Sequence, residues 1–310
     1  MRILFAIVHH WNPAGDGNHG SLRSDSTPRV QAFEQQLLSL QRLGNRHLQL
    51  NIAQREAQPA NQDLQNHIQI AVISDGQHHL IDRLDPRYQG LYSLVLTKPL
   101  SAKHLGFEAQ RFLASQLEED FDLYCYLEDD LIIHDPWFFK KIAWFISQAG
   151  DNCVLLPHRI ELASYPHPVD RFYIDGTIPE DELLKIIPEN LDDLAFDYLQ
   201  EKIIFKPPAN PHSGCFFLSK SQLLYWTKQS HWLDIDCSYI SPLESAATLG
   251  LAKSFNLYKP SMKQASWLEV QHWGNSFHCL LGRNINLPGY ESVPIEVIEK
   301  ASKNSKINKE

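Results

Sequence analysis

The stretch from Asp122 to Pro136 reads D-L-Y-C-Y-L-E-D-D-L-I-I-H-D-P and decides how the chain is interpreted. Its first part, 123–127, is a continuous apolar run, as in strands that are buried on both faces of a parallel sheet. Three carboxylates follow at once: Glu128, Asp129 and Asp130. Because ligands of open α/β sheets bind outside the carboxyl ends of the strands, this order predicts a functional site at the three acids.

The three consecutive acids, called the acidic triad below, need a compensating partner. Adjacent carboxylates repel one another, and clustering them is costly unless a cation or hydrogen-bond donors compensate the charge. Oxygen ligands suit Mg²⁺ and Mn²⁺, which proteins often hold with few carboxylates and the phosphates of a substrate. The triad therefore predicts a site for a metal ion and a diphosphate. A solvated acidic loop or a helix-capping group is the alternative that the triplet alone leaves open.

The rest of the chain alternates apolar runs with helical patterns, which predicts an α/β fold with a mostly parallel central sheet flanked by helices. The predicted strands are 2–8, 68–74, 92–97, 123–127, 154–157, 203–205 and 215–218. The predicted helices are 29–43, 105–117, one that starts at Asp135-Pro136 with Asp as N-cap, and 221–229. The Gln/Asn-rich segment 47–67 predicts loop with some helix.

Composition narrows the class of protein. The chain has 310 residues, with 28 basic and 37 acidic side chains and a net charge of −9. This balance argues against nucleic acid as a partner, because binding phosphate backbones needs clustered Lys and Arg. The apolar runs are too short for a membrane span or a secretory signal, which predicts a cytoplasmic protein without a transmembrane segment. The five cysteines form no C-x-x-C pair, so neither a zinc ribbon nor a disulfide framework is indicated.

The triad and the residues after it also resemble a known family. Glu128-Asp129-Asp130-Leu131, followed by 135–139 (D-P-W-F-F), is similar to the D-x-D segment of GT-A glycosyltransferases, in the E-D-D-L form of β-1,2-N-acetylglucosaminyltransferases. The resemblance implies the Rossmann-like GT-A fold of nucleotide-diphospho-sugar transferases. It implies one domain over 1–295, with a nucleotide-sugar-binding half (1–150), an acceptor half (151–295) and a polar tail (296–310). By the same resemblance, Asp130 binds the metal, and Glu128 and Asp129 contact the nucleotide sugar.

The resemblance assigns roles to further residues of the first half. The loop after the first strand would bring His10, together with His9 and Arg23, to the nucleotide. Asp75, at the end of the second strand, would contact the base, although Asp75-Gly76 is also an ordinary turn sequence. Arg111, in the helix before the triad, would contact ribose or diphosphate, and a solvated surface arginine is the alternative.

Two sites in the second half complete the donor site by resemblance. Gly214 belongs to P-H-S-G-C-F-F-L (211–218), which resembles the strand beside the donor sugar, where a small residue lets the backbone approach the ligand. His272 would bind the metal or the diphosphate, with His278 in reserve. A histidine in an aromatic stretch is also an ordinary core residue.

Glu244, near the start of a helix, is the predicted catalytic base, since single displacement needs a base opposite the leaving diphosphate. A glutamate there also has a local reason, the helix dipole. Asp234 and Asp236 are competing candidates for the base.

The predicted function is a metal-dependent glycosyltransferase of the hexosyltransferase type. With Mn²⁺ or Mg²⁺ it would move a sugar from a nucleoside diphosphate sugar to a hydroxyl-bearing acceptor (a glycan, a lipid or a small molecule), with inversion. One alternative is a nucleotidyltransferase acting on a sugar phosphate. Such enzymes usually have a Gly-rich loop near the N-terminus, which Gly15–Arg23 loosely resembles. Another is a non-catalytic protein that binds a divalent cation or carbohydrate.

Overall fold

The computed structural model describes residues 1–14, 20–44, 46–188 and 190–288. The strands are β1 (Arg2–Val8), β2 (His47–Asn51), β3 (Glu56–Ala60), β4 (His67–Ser74), β5 (Ser93–Leu96), β6 (Leu123–Glu128), β7 (Leu131–Ile132), β8 (Cys153–Leu155), β9 (His158–Leu162), β10 (Arg171–Tyr173), β11 (Leu194–Tyr198), β12 (Glu201–Lys206), β13 (Cys215–Leu218), β14 (Asn256–Pro260) and β15 (Glu269–His272). The α-helices are α1 (Thr27–Gly44), α2 (Leu105–Ser115), α3 (Phe138–Ala149), α4 (Glu180–Leu183), α5 (Lys220–Trp226) and α6 (Pro242–Ala252). Short 3₁₀ helices cover Gly20–Leu22, Gln62–Leu64, Ile81–Arg83, Pro86–Leu91, Ala102–His104, Leu117–Glu119, Met262–Trp267 and His278–Leu280.

A five-stranded sheet in the order β13-β6-β1-β4-β5 forms the centre of the fold. The strands β6, β1, β4 and β5 are parallel, and β13 runs antiparallel to β6. The predicted α/β class with a mostly parallel central sheet is therefore confirmed. The long apolar runs explain it, because strands that are covered on both faces cannot alternate with polar residues.

Helices cover both faces of this sheet. Successive side chains of a strand point to opposite faces, and in β1 the odd residues Ile3, Phe5 and Ile7 pack in one core cluster, with apolar residues of α1 and α3. The even residues Leu4, Ala6 and Val8 pack in a second cluster, with apolar residues of α2, α5 and α6. The predicted helices flanking the sheet are confirmed.

The order of the strands defines where a ligand can enter. The chain adds β4 and then β5 on one side of β1, and afterwards adds β6 on the other side. In open α/β sheets this reversal between neighbouring strands opens a crevice at their carboxyl ends. Val8 of β1 lies opposite Glu128 of β6 in the register, so His9 and Asp129 follow side by side at that crevice.

Two smaller sheets support the crevice from the second half of the chain. The strand β15 pairs with β7 and with β9, which sets His272 opposite Leu131. The other sheet has the order β11-β12-β14-β8. The predicted strands 154–157 and 203–205 correspond to β8 and β12, whereas the other strands of these two sheets, β7, β9, β10, β11, β14 and β15, were not predicted.

Two local predictions are wrong. The segment 47–67, expected to be loop with some helix, contains the antiparallel hairpin β2–β3. Its turn is made by Asn51, whose Oδ1 accepts from Gln54 N at 3.1 Å, and by Arg55 with φ +53°. The helix expected to start at Asp135-Pro136 starts at Phe138, because Asp135 Oδ1 accepts from Trp137 N at 2.8 Å and so closes a turn ahead of the helix.

The chain divides into two compact units, one of Met1–Ile160 with Tyr173–Trp273, and one of Glu161–Phe172 with the chain from Gly274 onward. In the second unit the buried Glu161 carboxylate accepts from Ser276 Oγ and from the Phe277 and His278 N–H groups. The predicted single domain over 1–295 and its halves stay predictions, and the predicted tail (296–310) lies outside the described residues. Within the described ranges, no helix has the length and apolar character that crossing a membrane requires.

Candidate active site

The acidic triad lies at the carboxyl end of β6, and neighbouring backbone and side-chain groups fix its main chain. Glu128 N donates to the Gly214 carbonyl at 3.0 Å. From α1, Gln36 Nε2 donates to the Glu128 carbonyl at 2.5 Å and to the Leu131 carbonyl at 2.9 Å. The triad is thus a rigid part of the sheet edge and differs from a solvated loop.

Asp129 is completely buried and is held from two sides. Its Oδ2 lies 2.5 Å from His9 Nδ1, and Arg29 donates to its Oδ1. Since the backbone N–H of Leu80 donates to His9 Nε2 at 2.9 Å, the ring proton lies on Nδ1 and points at Asp129. Both oxygens are engaged and no surface is exposed, so Asp129 positions Arg29 and His9. The contact with the nucleotide sugar that the resemblance implies for Asp129 stays a prediction.

Asp130 is held on one oxygen only. Its Oδ2 accepts from Arg29 Nη1 at 2.6 Å and lies 3.7 Å from His272 Nε2. Its Oδ1 is buried, and among the described residues no donor reaches it. Burial would raise the pKa of Asp130, but Arg29, His272 and Arg159 outweigh it and lower the pKa below its usual value. The Asp130 carboxylate is therefore charged, with one oxygen open to a further partner.

Glu128 has the opposite electrostatic environment. Burial, reinforced by Asp130 and Glu244 and opposed by Arg159 and Arg29, raises its pKa to about 8. Its Oε1 is buried, and no hydrogen-bond partner for it exists in the described part of the chain. At pH 7 the Glu128 carboxyl is mostly protonated and can donate a hydrogen bond, which its charged neighbour Asp130 cannot do.

Gly214 packs directly against Glu128. It has φ +64°, and a Cβ at this position would lie 2.8 Å from Glu128 Oε2 and 2.9 Å from Leu131 Cδ1. Glycine is the residue that tolerates both this backbone conformation and this close approach. Gly214 therefore lies against the triad, and its predicted place beside the donor sugar stays a prediction.

A second buried ion-pair network lies beside the triad. Arg159 Nε and Lys259 Nζ each bind a different oxygen of Asp175, both at 2.8 Å. Burial opposes the charge on Asp175, but Lys259 and Arg159 outweigh it and hold the pKa of this carboxyl well below its usual range. The positive charge of Arg159 also acts to lower the pKa of Glu128, so this network interacts electrostatically with the triad.

Glu244 lies in the first turn of α6, where its side chain is 21% exposed. Its Oε1 is 4.0 Å from Nε2 of the buried His212. Gly214 N approaches His212 Nδ1 at 3.4 Å, which favours the tautomer with its proton on Nε2, facing Glu244. Burial, together with Arg159, lowers the pKa of His212 well below its usual value, so this ring is neutral. The competing acids Asp234 and Asp236 both pair with Lys253.

Asp75, His10 and His78 form a separate group at the carboxyl ends of β1 and β4, called the histidine cluster below. Asp75 Oδ1 accepts from Gln77 N at 2.9 Å and His78 N at 2.8 Å, and its Oδ2 lies 2.7 Å from His78 Nδ1. Burial would raise the pKa of Asp75, but these hydrogen bonds outweigh it and lower the pKa to about 2. Burial lowers the pKa of His10 below its usual value. Asp75 is thus held in its turn through Oδ1, while Oδ2 faces the rings of His78 and His10.

Other predicted residues lie apart from the triad. Arg111 is 59% exposed on α2, and its Nε lies 3.5 Å from Glu108 Oε2. Arg23 is exposed, and its carbonyl accepts from Trp11 Nε1 at 3.1 Å. His278 belongs to the second unit, where its Nε2 lies 2.7 Å from the Val169 carbonyl. The sequence analysis missed Arg29 and Arg159, which balance the charge of the triad.

No protein-family model matches the chain, and no curated protein matches its sequence. Among solved structures, S. aureus TarS is similar with 9% identity and a TM-score of 0.44, covering 89% of this chain and 37% of that chain. A mannose-1-phosphate geranyltransferase from Thermus thermophilus is similar with 12% identity and a TM-score of 0.38, covering 84% and 73%. S. aureus TarS 1-349 gives 9% identity and a TM-score of 0.39, covering 84% and 58%. At these identities, and with TM-scores this low, the similarities assign no activity to the chain.

Proposed function

We propose that the protein is a metal-dependent glycosyltransferase that moves a sugar from a nucleoside diphosphate sugar to a hydroxyl acceptor with inversion. The observation that carries the proposal is the open oxygen of Asp130 at the crevice between β1 and β6. Asp130 Oδ1 is buried without a donor among the described residues, while Oδ2 is held by Arg29 and lies 3.7 Å from His272 Nε2. A buried charged oxygen without a partner is costly, so it favours a cation as the missing partner.

The charges in direct contact fit a divalent ion. With Glu128 protonated at its pKa of about 8, Asp129 and Asp130 face the single charge of Arg29. Asp130 and His272 would hold Mn²⁺ or Mg²⁺, and the group would then be net positive, which suits a diphosphate. Such ions commonly keep few protein ligands and complete their shell with substrate phosphates and water. When bound, the ion supplies charge neutralisation of the leaving diphosphate.

The protein's own residues perform the remaining steps. Arg29 and His9 lock Asp129, and Arg29 also orients Asp130. The protonated Glu128 and Gly214 lie where the transferred sugar would bind. Glu128 would donate a hydrogen bond to the sugar, and Gly214 would let the backbone approach it closely. Arg159 adds positive potential on the same side.

Glu244 accepts the acceptor's proton. The acceptor oxygen forms a bond to the anomeric carbon, the bond from that carbon to the diphosphate breaks, and the hydroxyl proton moves to the Glu244 carboxylate. The neutral His212 lies beside the base, with its Nε2 4.0 Å from Glu244 Oε1. The acidic stretch 179–197 disfavours an anionic acceptor.

Binding of nucleoside diphosphates tests the proposal directly. We expect UDP or GDP to raise the Tm only when Mn²⁺ is present, and calorimetry to give one site. Asp130→Asn should lose this metal-dependent binding, because the charged oxygen is removed with little change of shape. Asp197→Asn is the matched control, since Asp197 is 83% exposed on β11, and it should bind as the wild type does.

The outcomes separate the alternatives. Normal Mn²⁺-dependent nucleotide binding by Asp130→Asn overturns the assignment of the site. A metal effect that no nucleotide changes favours a non-catalytic cation-binding protein. Release of pyrophosphate from CTP and a sugar phosphate favours a nucleotidyltransferase; residues 15–19 of the Gly-rich segment considered for it lie outside the described residues.

A further inference from the structure

The geometry points to a second metal site, the histidine cluster of His10, Asp75 and His78, which would take a borderline divalent ion of the Zn²⁺ class. Each of the three residues offers one ligand atom, and these atoms all lie within 4.8 Å of one another. Across residues 1–14, 20–44, 46–188 and 190–288, this is the one group of three such side chains found at that spacing. The site does not involve Asp130, so it does not depend on the proposed transferase activity.

The donor set selects the class of ion. Two imidazole nitrogens and one carboxylate oxygen suit Zn²⁺ and its neighbours among the transition metals, whereas Mg²⁺ and Ca²⁺ prefer oxygen ligands alone. With bonds of about 2.0–2.2 Å, the ligands of a tetrahedral zinc site lie roughly 3.3–3.5 Å apart. His78 Nδ1 is 2.7 Å and His10 Nδ1 is 4.0 Å from Asp75 Oδ2. For these two pairs of atoms, shifts of less than about 1 Å in opposite directions reach that spacing, and the ligand nitrogens of the two rings lie within 4.8 Å of each other.

An independent observation indicates a missing ligand. His10 Nδ1 is a buried atom that has no hydrogen-bond partner within the described ranges. The ring lies beside that of His78, with the centroids 5.4 Å apart and the planes tilted by 47°. A buried ring nitrogen without a partner is unfavourable in an apoprotein, and an ion bound between the two rings gives it one.

The backbone around the cluster is already fixed. His9 N donates to the Ile73 carbonyl at 3.0 Å, and Trp11 N donates to the His78 carbonyl at 2.9 Å. Two backbone N–H groups also hold Asp75 Oδ1, which leaves Oδ2 directed at the rings. Since both loops are tied before an ion binds, little ordering is required on binding. His78 is 39% exposed, so solvent can supply the ion and occupy a fourth ligand position.

This site gives His10 and Asp75 a role other than the nucleotide contact implied by the family resemblance. The ion joins the loop after β1 to the loop after β4. His9, which orients Asp129, precedes His10 in the chain, so the site adjoins the acidic triad through one peptide bond.

Zn²⁺ binding to the metal-free protein, without nucleotide, tests the site. We expect one equivalent of Zn²⁺ to be held in competition with a chromogenic chelator and to raise the Tm. His78→Ala and Asp75→Asn should each weaken binding by about 100-fold or more, since changes even to outer-shell partners of metal ligands cost 10–100-fold. His78→Asn, a smaller change, should weaken it as well. Circular dichroism and the melting curves without metal establish that each variant is folded.

Two matched variants locate the ion. His79→Ala changes the neighbouring histidine, which is outside the group of three, and Asp130→Asn changes the proposed Mn²⁺–nucleotide site; both should bind Zn²⁺ as the wild type does. Co²⁺ should give the visible spectrum of a tetrahedral site without a thiolate band. The proposal is overturned if folded His78→Ala binds Zn²⁺ normally, if His79→Ala or Asp130→Asn loses the bound ion, or if the wild type holds no equivalent. Binding of UDP or GDP with Mn²⁺ is measured separately, so the failure of this proposal and the failure of the proposed function are distinguishable.

Discussion

The acidic triad and the histidine cluster lie at the carboxyl ends of neighbouring strands, yet they balance their charge differently. Arg29 enters the triad and bridges Asp129 and Asp130, so the protein itself compensates one of these two carboxylate charges. In the histidine cluster Asp75 is compensated by backbone N–H groups and an imidazole, and the described ion pairs give it no arginine or lysine. The difference indicates that the triad is balanced in part by an arginine within it, whereas the cluster holds its one carboxylate with backbone N–H groups and imidazole.

The largest effect should come from removing Arg29. Arg29→Ala leaves the buried Asp129 with one partner in place of two, and breaking a buried ion pair costs about 3–5 kcal/mol. We expect the free energy of unfolding to fall by that amount in urea titrations followed by tryptophan fluorescence. Arg87→Ala is the control, because Arg87 pairs with Asp85 but is 85% exposed, and such pairs contribute about 0–1 kcal/mol. Equal losses in the two variants would show that the triad needs no internal cation.

Replacing the proposed base separates chemistry from binding. Glu244→Gln should lower kcat by roughly 10² or more while the nucleoside diphosphate binds as before, since a positioned base contributes on that scale. Asp236→Asn should have little effect, because Asp236 pairs with Lys253 away from His212. If Asp236→Asn is the slow variant and Glu244→Gln is not, the base is misassigned.

A smaller loss is expected from the backbone beside Glu128. Gly214→Ala combines a positive φ with a Cβ 2.8 Å from Glu128 Oε2, and a non-glycine residue in that region costs about 1–3 kcal/mol. Gly90→Ala places its Cβ where no atom lies within 4 Å, so its change should stay within about 1 kcal/mol. Urea unfolding measures both variants. A Gly214→Ala protein as stable as Gly90→Ala would mean that the packing around Glu128 is loose.

The sequence predicted the parts of the fold that rest on contiguous signals. The apolar runs of β1 and β6 are long and unbroken, so their burial and the position of the triad at a strand end followed directly. The hairpin β2–β3 was missed because its strands lie mostly exposed and carry glutamine and asparagine in place of an apolar pattern. Predicting strands from apolar runs therefore failed for a hairpin that contributes little to the hydrophobic core.

The candidate site was predictable in its acids and not in its cations. His272 was expected near Asp130, and the pairing of β15 with β7 brings its Nε2 to 3.7 Å. Arg29 lies 100 residues before Asp129 and looks in the sequence like any polar residue in a first helical turn. Arg111 was expected at the site because the family resemblance implies a contact residue in the helix before the triad, and in the structure its side chain is 59% exposed. To predict which distant charged residues form ion pairs, one must know how the strands align with one another. Local sequence patterns do not contain that information.

The smallest effect tests the ion-pair network that supports the triad. His158 precedes Arg159 on β9, and its Nε2 lies 2.7 Å from the Pro260 carbonyl. Burial lowers the pKa of His158 to about 4, and the positive charge of Lys259 acts in the same direction. The hydrogen bond to the Pro260 carbonyl and the charge of Asp175 oppose this shift but do not cancel it. The unfolded chain therefore takes up a proton near pH 6.5 that the folded protein refuses until about pH 4.

The contribution of His158 is complete above pH 6.5 and is lost as the pH falls toward 4, with a slope of at most about 1.4 kcal/mol per pH unit. The free energy of unfolding is measured in urea at pH 7 and at pH 5.5. Between these two values it should fall by about 1 kcal/mol less in His158→Gln than in the wild type. His47→Gln, on the hairpin β2–β3, serves as the control and should follow the wild type, because His47 is only partly buried. A wild-type slope that His158→Gln leaves unchanged would mean that His158 titrates freely, and that the network behind Arg159 is open to water rather than closed like the triad.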